Sequence, residues 1–252
     1  MRESQAAGVV RAEGDAPART LPGDTATVRV TIGAEHGCER LEQRVVHFAQ
    51  GRSLPRTNVG HGEVMYVVSG RATLELDGER HALEPDDGAF VAAGETFVVD
   101  NADPERLVLV SVLVPVSVTP LSRERRVVVS LREREEDRAD EQRTFRVLVG
   151  SDTGCRGVTQ FVGFVQTCRA PDHSHPYDEV GYILAGRGYA HLDGASIPIG
   201  PGSCFHLPPG KVHCIENAGA ETMRILGVLH PADSPAARSY DAASPAESAA
   251  PS

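Results

Sequence analysis

The residues of this chain that could do chemistry together fall in two short stretches of its second half. His173, His175 and Glu179 follow one another closely and lead to Gly186, and a second stretch runs from Gly202 through Pro208 and Gly210 to His213 and Asn217. Side chains two apart on a strand share a face, so His173 and His175 can send both imidazoles into one interior. Glu179 has the same parity and adds a carboxylate if the intervening turn keeps the register. Pro208 and Gly210 shape a tight loop that would deliver His213 from a neighbouring strand. Three neutral imidazoles and one carboxylate make a donor set of intermediate softness, suited to Fe, Mn, Co, Ni, Cu or Zn. Around an octahedral ion these four donors leave two positions open for water, oxygen or substrate, as a catalytic site requires and a closed structural site does not.

Strands must position these groups, and the sequence supplies them twice. Shifting the first half by 116 residues brings Phe48 onto Phe164, Pro55 onto Pro171, Glu63 onto Glu179, Gly70 onto Gly186, Gly94 onto Gly210, Asn101 onto Asn217 and Pro115 onto Pro231. So many landmarks in one register point to two copies of one domain. Each copy carries short segments rich in Val, Leu and Thr between turn residues, such as residues 64–68, 73–76, 97–99 and 107–114. Asp77-Gly78 and Asp193-Gly194 are read as hairpin turns, because type I′ turns need positive φ and Asp-Gly provides it. Many short strands at even spacing mean a sandwich or barrel, and no stretch carries a helical period.

The two stretches resemble the two motifs of the cupin superfamily, Gly-x5-His-x-His-x3-4-Glu-x6-Gly and Gly-x5-Pro-x-Gly-x2-His-x3-Asn. His173 to Gly186 and Gly202 to Asn217 match both, except that Thr167 stands where the first motif begins with Gly. The resemblance implies an all-β chain of two cupin barrels in tandem, each a double-stranded β-helix or jelly roll. It implies one divalent transition metal ion held by His173, His175, Glu179 and His213, with Glu179 and His213 also placed at the chemistry. In the gapless alignment the first copy offers Thr57, Val59, Glu63 and Phe97 at those positions, which is read as a degenerate barrel without metal, its vacated space filled by Phe97. A displaced site using His61 with Glu63, helped by His47 or His81, is the alternative. Gln166, Cys168, Tyr182, His191, His206 and Cys214 are candidates for the surroundings of the second site; His36 and His230 receive no role.

The boundaries follow from the repeat. Residues 1–24, rich in Ala, Gly and Pro, are expected to form a flexible leader, although Val9-Val10 could start a strand. Residues 25–118 form the first barrel and 119–231 the second, including a charged loop over 132–143, and 232–252 form a disordered tail. A net charge of −10 with acids and bases intermixed and Lys211 the lone lysine argues against a nucleic-acid partner. There is no apolar run long enough to span a membrane and no apolar segment of a signal peptide near Met1, so a cytoplasmic chain is expected. Five cysteines, an odd number without a C-x-x-C pair, are expected to be reduced and mostly buried.

The resemblance extends to cupin dioxygenases of diketones, flavonols and related enols and to Mn oxalate decarboxylases. It implies a small-molecule metalloenzyme, first of all an Fe(II) oxygenase in secondary metabolism. The ion is expected to be Fe(II) first, with Mn, Zn, Ni or Co as other options; the alternatives are a non-redox isomerase, cyclase or decarboxylase using Zn, Mn or Ni, and an N–N bond-forming cupin. From another class, a non-catalytic small-molecule binding cupin remains as a reading, with a homodimer as a further option. The fold decides nothing among these.

Overall fold

The structure, a computed structural model, describes residues 7–116 and 125–240. Among them there is no α-helix, only strands and four short 3-10 turns. The first barrel is a seven-stranded sheet facing a smaller one. Its large sheet runs, edge to edge, Val128–Ser130, Asp87–Val91, His61–Ser69, Leu107–Pro115, Glu42–Phe48, Ala26–Ile32 and Arg19–Thr20. Its small sheet contains Gly51–Arg52, Thr96–Asn101, Ala72–Leu76 and Glu79–Leu83, with Arg56–Thr57 also paired to Thr96–Asn101. Met65, Val67, Phe48 and Leu109 of the large sheet meet Leu74, Leu76, Phe97 and Val99 of the small one in a buried apolar core.

The second barrel repeats this plan. Its large sheet runs Val9–Ala12, Ser203–Leu207, Asp178–Ala185, Met223–His230, Thr159–Val165, Arg143–Val149 and Asp137–Arg138. Its small sheet contains Ala195–Ile199, Gly188–Leu192, His213–Asn217, His173–Ser174 and Ser239–Tyr240, with Cys168–Arg169 beside His213–Asn217. The Asp-Gly hairpins have the positive φ the sequence calls for, 48° and 90° at Asp77-Gly78 and 54° and 77° at Asp193-Gly194. The outer faces of the two large sheets pack back to back, so that Val45, Val64, Tyr66 and Val110 share one apolar cluster with Val162, Val180, Leu226 and Val228.

Four expectations about the segments are corrected. The leader is not loose over its described part: Val9–Ala12 pairs with Ser203–Leu207 of the second barrel, and Arg19–Thr20 with Ala26–Ile32 of the first. Reciprocally, Val128–Ser130, assigned to the second barrel, completes the first barrel's large sheet through Asp87–Val91. Each barrel thus takes an edge strand from the segment preceding the other, which covers an otherwise open edge. The charged stretch at 132–143 is no plain solvated loop, since Asp137–Arg138 pairs with Arg143–Val149 and Arg143 is buried. The tail continues in ordered form to Ser239–Tyr240, which pairs with His173–Ser174; residues 241–252 of the expected disordered tail lie outside the described residues.

Candidate metal centre

The register of the strands brings the four sequence-predicted ligands together. His173 pairs directly with His213 across the small sheet of the second barrel, and Glu179 enters from the facing large sheet. The His173 and His213 ring centroids are 4.5 Å apart and those of His175 and His213 4.8 Å. His175 Nε2 stands 3.2 Å from Glu179 Oε2. All four line one cavity of about 80 Å³, walled by Phe145, Phe161, Phe205, Leu207 and Ile225.

The backbone sets the tautomers. Nδ1 of His173 donates to the Pro171 carbonyl at 2.9 Å, Nδ1 of His175 to the Tyr177 carbonyl at 2.9 Å, and Nδ1 of His213 to the Lys211 carbonyl at 2.8 Å. Each bond spans two residues and consumes the one N–H of a neutral ring, so every Nε2 keeps a lone pair. Such an outer acceptor is what a metal-bound imidazole requires. His175 Nε2 is buried with no hydrogen-bond partner, an omission that a cation would repair. Burial, reinforced by the His213 ring, drives the His173 imidazole down to about 3, and burial likewise lowers His213, next to His175. Burial works to raise the Glu179 carboxyl, but His175 and the other two rings outweigh it and leave it lowered. Neutral rings at His173 and His213 beside an ionised Glu179 carboxylate are protonation states that favour binding of a divalent ion.

Gly227 lies beneath Glu179: a Cβ there would sit 3.2 Å from Glu179 Oε1 and inside the Phe161 ring. The first barrel has Ser111 at this position, and its hydroxyl donates to Glu63 Oε1. Asn58 Nδ2 donates to Glu63 Oε2 at 2.7 Å, so both oxygens of that carboxylate are engaged. The pairings correct the alignment of the two copies. Arg56 faces Phe97 as His173 faces His213, and the Gly94 N–H donates to the Asn58 carbonyl as the Gly210 N–H does to that of His175. The counterparts of His173, His175, Glu179 and His213 are therefore Arg56, Asn58, Glu63 and Phe97, whereas Val59 is exposed. One extra residue between Asn58 and Glu63 shifts the register that the gapless alignment assumed. The first barrel still cannot hold the ion, and His61, His47 and His81 do not help: His61 is exposed, His47 is turned to Glu13 and His81 to Glu79. Nor does Phe97 fill the space, since Arg56, Asn58, Glu63 and Phe97 line a cavity of about 390 Å³.

The candidates for the surroundings fare differently. Gln166, Cys168, Tyr182, His191, His206 and Cys214 do not line the second-barrel cavity. Tyr182 donates to Glu13 Oε2, His191 contacts Glu216 and Ser196, and His206 turns outward to Asp178. What lines the cavity instead is Tyr177, Arg143 and Arg238. Tyr177 stacks on His175 with ring centroids 4.2 Å apart, and its hydroxyl donates to the Ser234 and Ala237 carbonyls, pinning the C-terminal strap over the site. Arg143 is ion-paired with Asp140, donating from Nε at 2.6 Å, and Arg238 approaches the same carboxylate at 3.6 Å. Two guanidinium groups on one carboxylate leave a positive charge at the cavity. Tyr177 was missed in the sequence, although it sits inside the histidine motif, whereas Arg143 and Arg238 come from segments that carry no motif. Among the described residues, Cys38, Asp178 and His206 form a separate buried group whose donor atoms lie within 4.8 Å of one another and could hold a divalent ion.

The Cupin domain family matches residues 44–113 and 164–229, more than half of the chain and once per barrel. The chain belongs to the cupin family. This bicupin has its ligand-type side chains concentrated on the C-terminal barrel. Over 60 residues it is 37% identical to an uncharacterized protein of Methanocaldococcus jannaschii, a match covering 23% of this chain and 48% of that protein. The chain thus spans about half the length of that curated relative. Among solved structures it is similar to a Pseudomonas aeruginosa protein designated glyoxylate-induced, with a TM-score of 0.76, 18% identity and 90% and 91% of the two chains covered. It is also similar to a variant of Bacillus subtilis oxalate decarboxylase, at TM-score 0.72 and 14% identity over 89% and 78%, and to the Ylba protein of E. coli, at 0.72 and 16% over 92% and 94%. Such likeness establishes the two-barrel fold. No helix among the described residues is long and apolar enough to cross a membrane.

Proposed function

We propose that this cupin is a divalent-metal-dependent enzyme that transforms a small carboxylate without net oxidation, by decarboxylation, isomerisation or a related carbonyl reaction. The observation that carries the reading is the convergence of three Nδ1-anchored imidazoles and Glu179 in one small cavity beside Arg143 and Arg238. His173, His175, Glu179 and His213 would hold the ion. When bound, it supplies a Lewis acid that polarises a substrate oxygen.

The remaining walls support a small anionic substrate. Arg143 and Arg238 can draw a carboxylate to the mouth, sharing it with Asp140. Phe145, Phe161, Phe205 and Ile225 keep water from the reacting end, which strengthens every charge interaction there. A cavity of about 80 Å³ is far below the roughly 300–1,000 Å³ of sites for drug-sized ligands. This size favours a carboxylate of a few carbons over the bulky enols and flavonols of the oxygenase reading. The likeness to oxalate decarboxylases, whose named substrate is a two-carbon dicarboxylate, supports the same choice.

The test is a panel of two- to four-carbon keto-, hydroxy- and dicarboxylates offered to protein loaded separately with Mn, Zn, Ni, Co and Fe(II), in air and under strict anaerobiosis. Turnover that survives anaerobiosis is expected. Stoichiometric oxygen consumption would instead establish an oxygenase. Carboxylate binding that is indifferent to metal, without turnover, would establish a binding protein.

A further inference from the structure

The second group of ligand-type side chains lies in the seam between the barrels. Cys38 follows the turn Ala34–His36 of the first barrel, Asp178 opens the strand Asp178–Ala185 of the second, and His206 sits on the neighbouring strand Ser203–Leu207. All three are buried, and one donor atom from each falls within 4.8 Å of the others. None of them lines the second-barrel cavity. Neighbouring residues of a strand face opposite sides, so Glu179 points into the barrel while Asp178 points out to the seam. His206 Nε2 is 2.9 Å from Asp178 Oδ1, and His206 Nδ1 is buried without a hydrogen-bond partner on a residue with 0% exposure.

The repeat provides an internal control. Cys155 follows the turn Ser151–Thr153 as Cys38 follows Ala34–His36. Gly62 pairs with Val114 as Asp178 pairs with His230, and Phe90 pairs with Val64 as His206 pairs with Val180. The fold therefore builds the same seam twice, once with Cys155, Gly62 and Phe90 and once with Cys38, Asp178 and His206. The first version is apolar, so packing the barrels does not require the polar one. A carboxylate, an imidazole and a thiol buried together are costly unless something compensates them. A divalent ion does so without residue: one thiolate, one carboxylate and one neutral imidazole balance its charge.

We propose that the seam holds a divalent ion of the zinc type through Cys38 Sγ, the Asp178 carboxylate and a ring nitrogen of His206. The ion staples the first barrel's turn to the strand that carries Glu179. Sulfur and nitrogen donors with one oxygen select zinc or cobalt over magnesium or calcium. Burial holds the Cys38 thiol up to about 11, so it is protonated in neutral solution. Binding forms the sulfur–metal bond and releases the thiol proton to solvent.

The test uses the full chain loaded with cobalt(II). The donors in the second-barrel cavity include no sulfur, so a thiolate-to-cobalt charge-transfer absorption reports the seam alone. We expect that band in the unaltered protein together with two metal equivalents per chain. Cys38→Ser should lose the band and one equivalent, while Cys155→Ser keeps both. His175→Ala should lose one equivalent and keep the band, which separates failure of the cavity site from failure of the seam site. Should Cys38→Ser not fold, His206→Gln serves in its place, with at least a tenfold higher cobalt concentration needed to reach half of the band. A folded protein without the band, or a band that survives Cys38→Ser, overturns the proposal.

Discussion

Gln43 and Gln160 make the same hydrogen bond in opposite directions across the seam. Gln43 Nε2 donates to the Gly181 carbonyl at 3.2 Å, and Gln160 Nε2 donates to the Met65 carbonyl at 3.3 Å. Both side chains are buried, each on the strand that pairs with the middle strand of its own large sheet. The clasp ties each barrel to the strand bearing the other's carboxylate, Glu63 or Glu179. Gln43→Leu or Gln160→Leu should each lower stability by about 1–3 kcal/mol, because a buried carbonyl loses a donor. Urea unfolding measures it; a change below about 0.5 kcal/mol in both would show that the clasp contributes no stability.

His175→Ala should remove the cavity metal, since His175 Nε2 is the orphan atom closest to Glu179. Glu179→Gln keeps shape and an oxygen but removes a negative charge, so metal affinity should fall by at least tenfold. Metal at a hundred times its dissociation constant should stabilise the unaltered protein by about 2.7 kcal/mol. Thermal melts with and without chelator check this, and neither variant should retain the full gain.

The apo protein should lose stability in acid. His173 and His213 are held below their ordinary value in the fold, His173 at about 3, whereas unfolded histidine titrates near 6.5. As pH falls through about 6.5, the unfolded chain takes up protons that the native rings refuse, and stability drops by up to about 1.4 kcal/mol per pH unit for each ring. For His173 the loss ends near 3, where the native ring also protonates; above 6.5 neither ring contributes. Glu179 acts in the same direction, since its carboxyl is lowered and its stabilisation disappears as acid protonates it. Denaturation at pH 7.5, 6 and 5 under chelator should show the fall, and the gain from added metal should shrink over the same range. Equal stability at all three values would contradict the assignment.

Arg238 approaches Asp140 at 3.6 Å, the loosest contact of the arginine pair at the cavity. Arg238→Gln should raise KM for a carboxylate at least tenfold, with a smaller change in kcat, because the charge attracts the substrate but does not touch the reacting end. Arg143→Gln should also destabilise the fold, since Arg143 is buried against Asp140. Saturation kinetics on both variants separate the roles, and an unchanged KM in Arg238→Gln would remove this residue from substrate binding.

How much the sequence disclosed depended on how local each signal was. The four ligands were legible because His173, His175 and Glu179 share one stretch and His213 sits in a second stretch with its own Pro and Gly. Arg143 and Arg238 were not, because one ends a charged stretch that reads as solvated and the other lies in a tail with little to bury. The seam group was hidden for a different reason. Asp178 and His206 sit on neighbouring strands of one sheet, but Cys38 reaches them only through the packing of one barrel on the other, which no periodicity encodes. The edge exchange of Val9–Ala12 and Val128–Ser130 is equally non-local, since each strand's partner belongs to the barrel that the other precedes.

The register of the first barrel yields the sharpest test. A gapless alignment places Thr57 and Val59 opposite His173 and His175, but the strand pairings place Arg56 and Asn58 there. Arg56→His, Asn58→His and Phe97→His combined should therefore build a second three-imidazole set around Glu63. Ser111→Gly should be added to free Glu63 Oε1 as Gly227 frees that of Glu179. Truncating buried Phe97 will cost stability on the order of 1–4 kcal/mol, which bound metal would offset in part. The comparison protein carries Thr57→His, Val59→His and Phe97→His with the same Ser111→Gly. Elemental analysis of the first design should show one metal equivalent more than the unaltered chain, and the second none, because the Val59 position faces solvent at 84% exposure. Gain of metal by the second design alone would restore the gapless alignment and refute the register drawn from the strands.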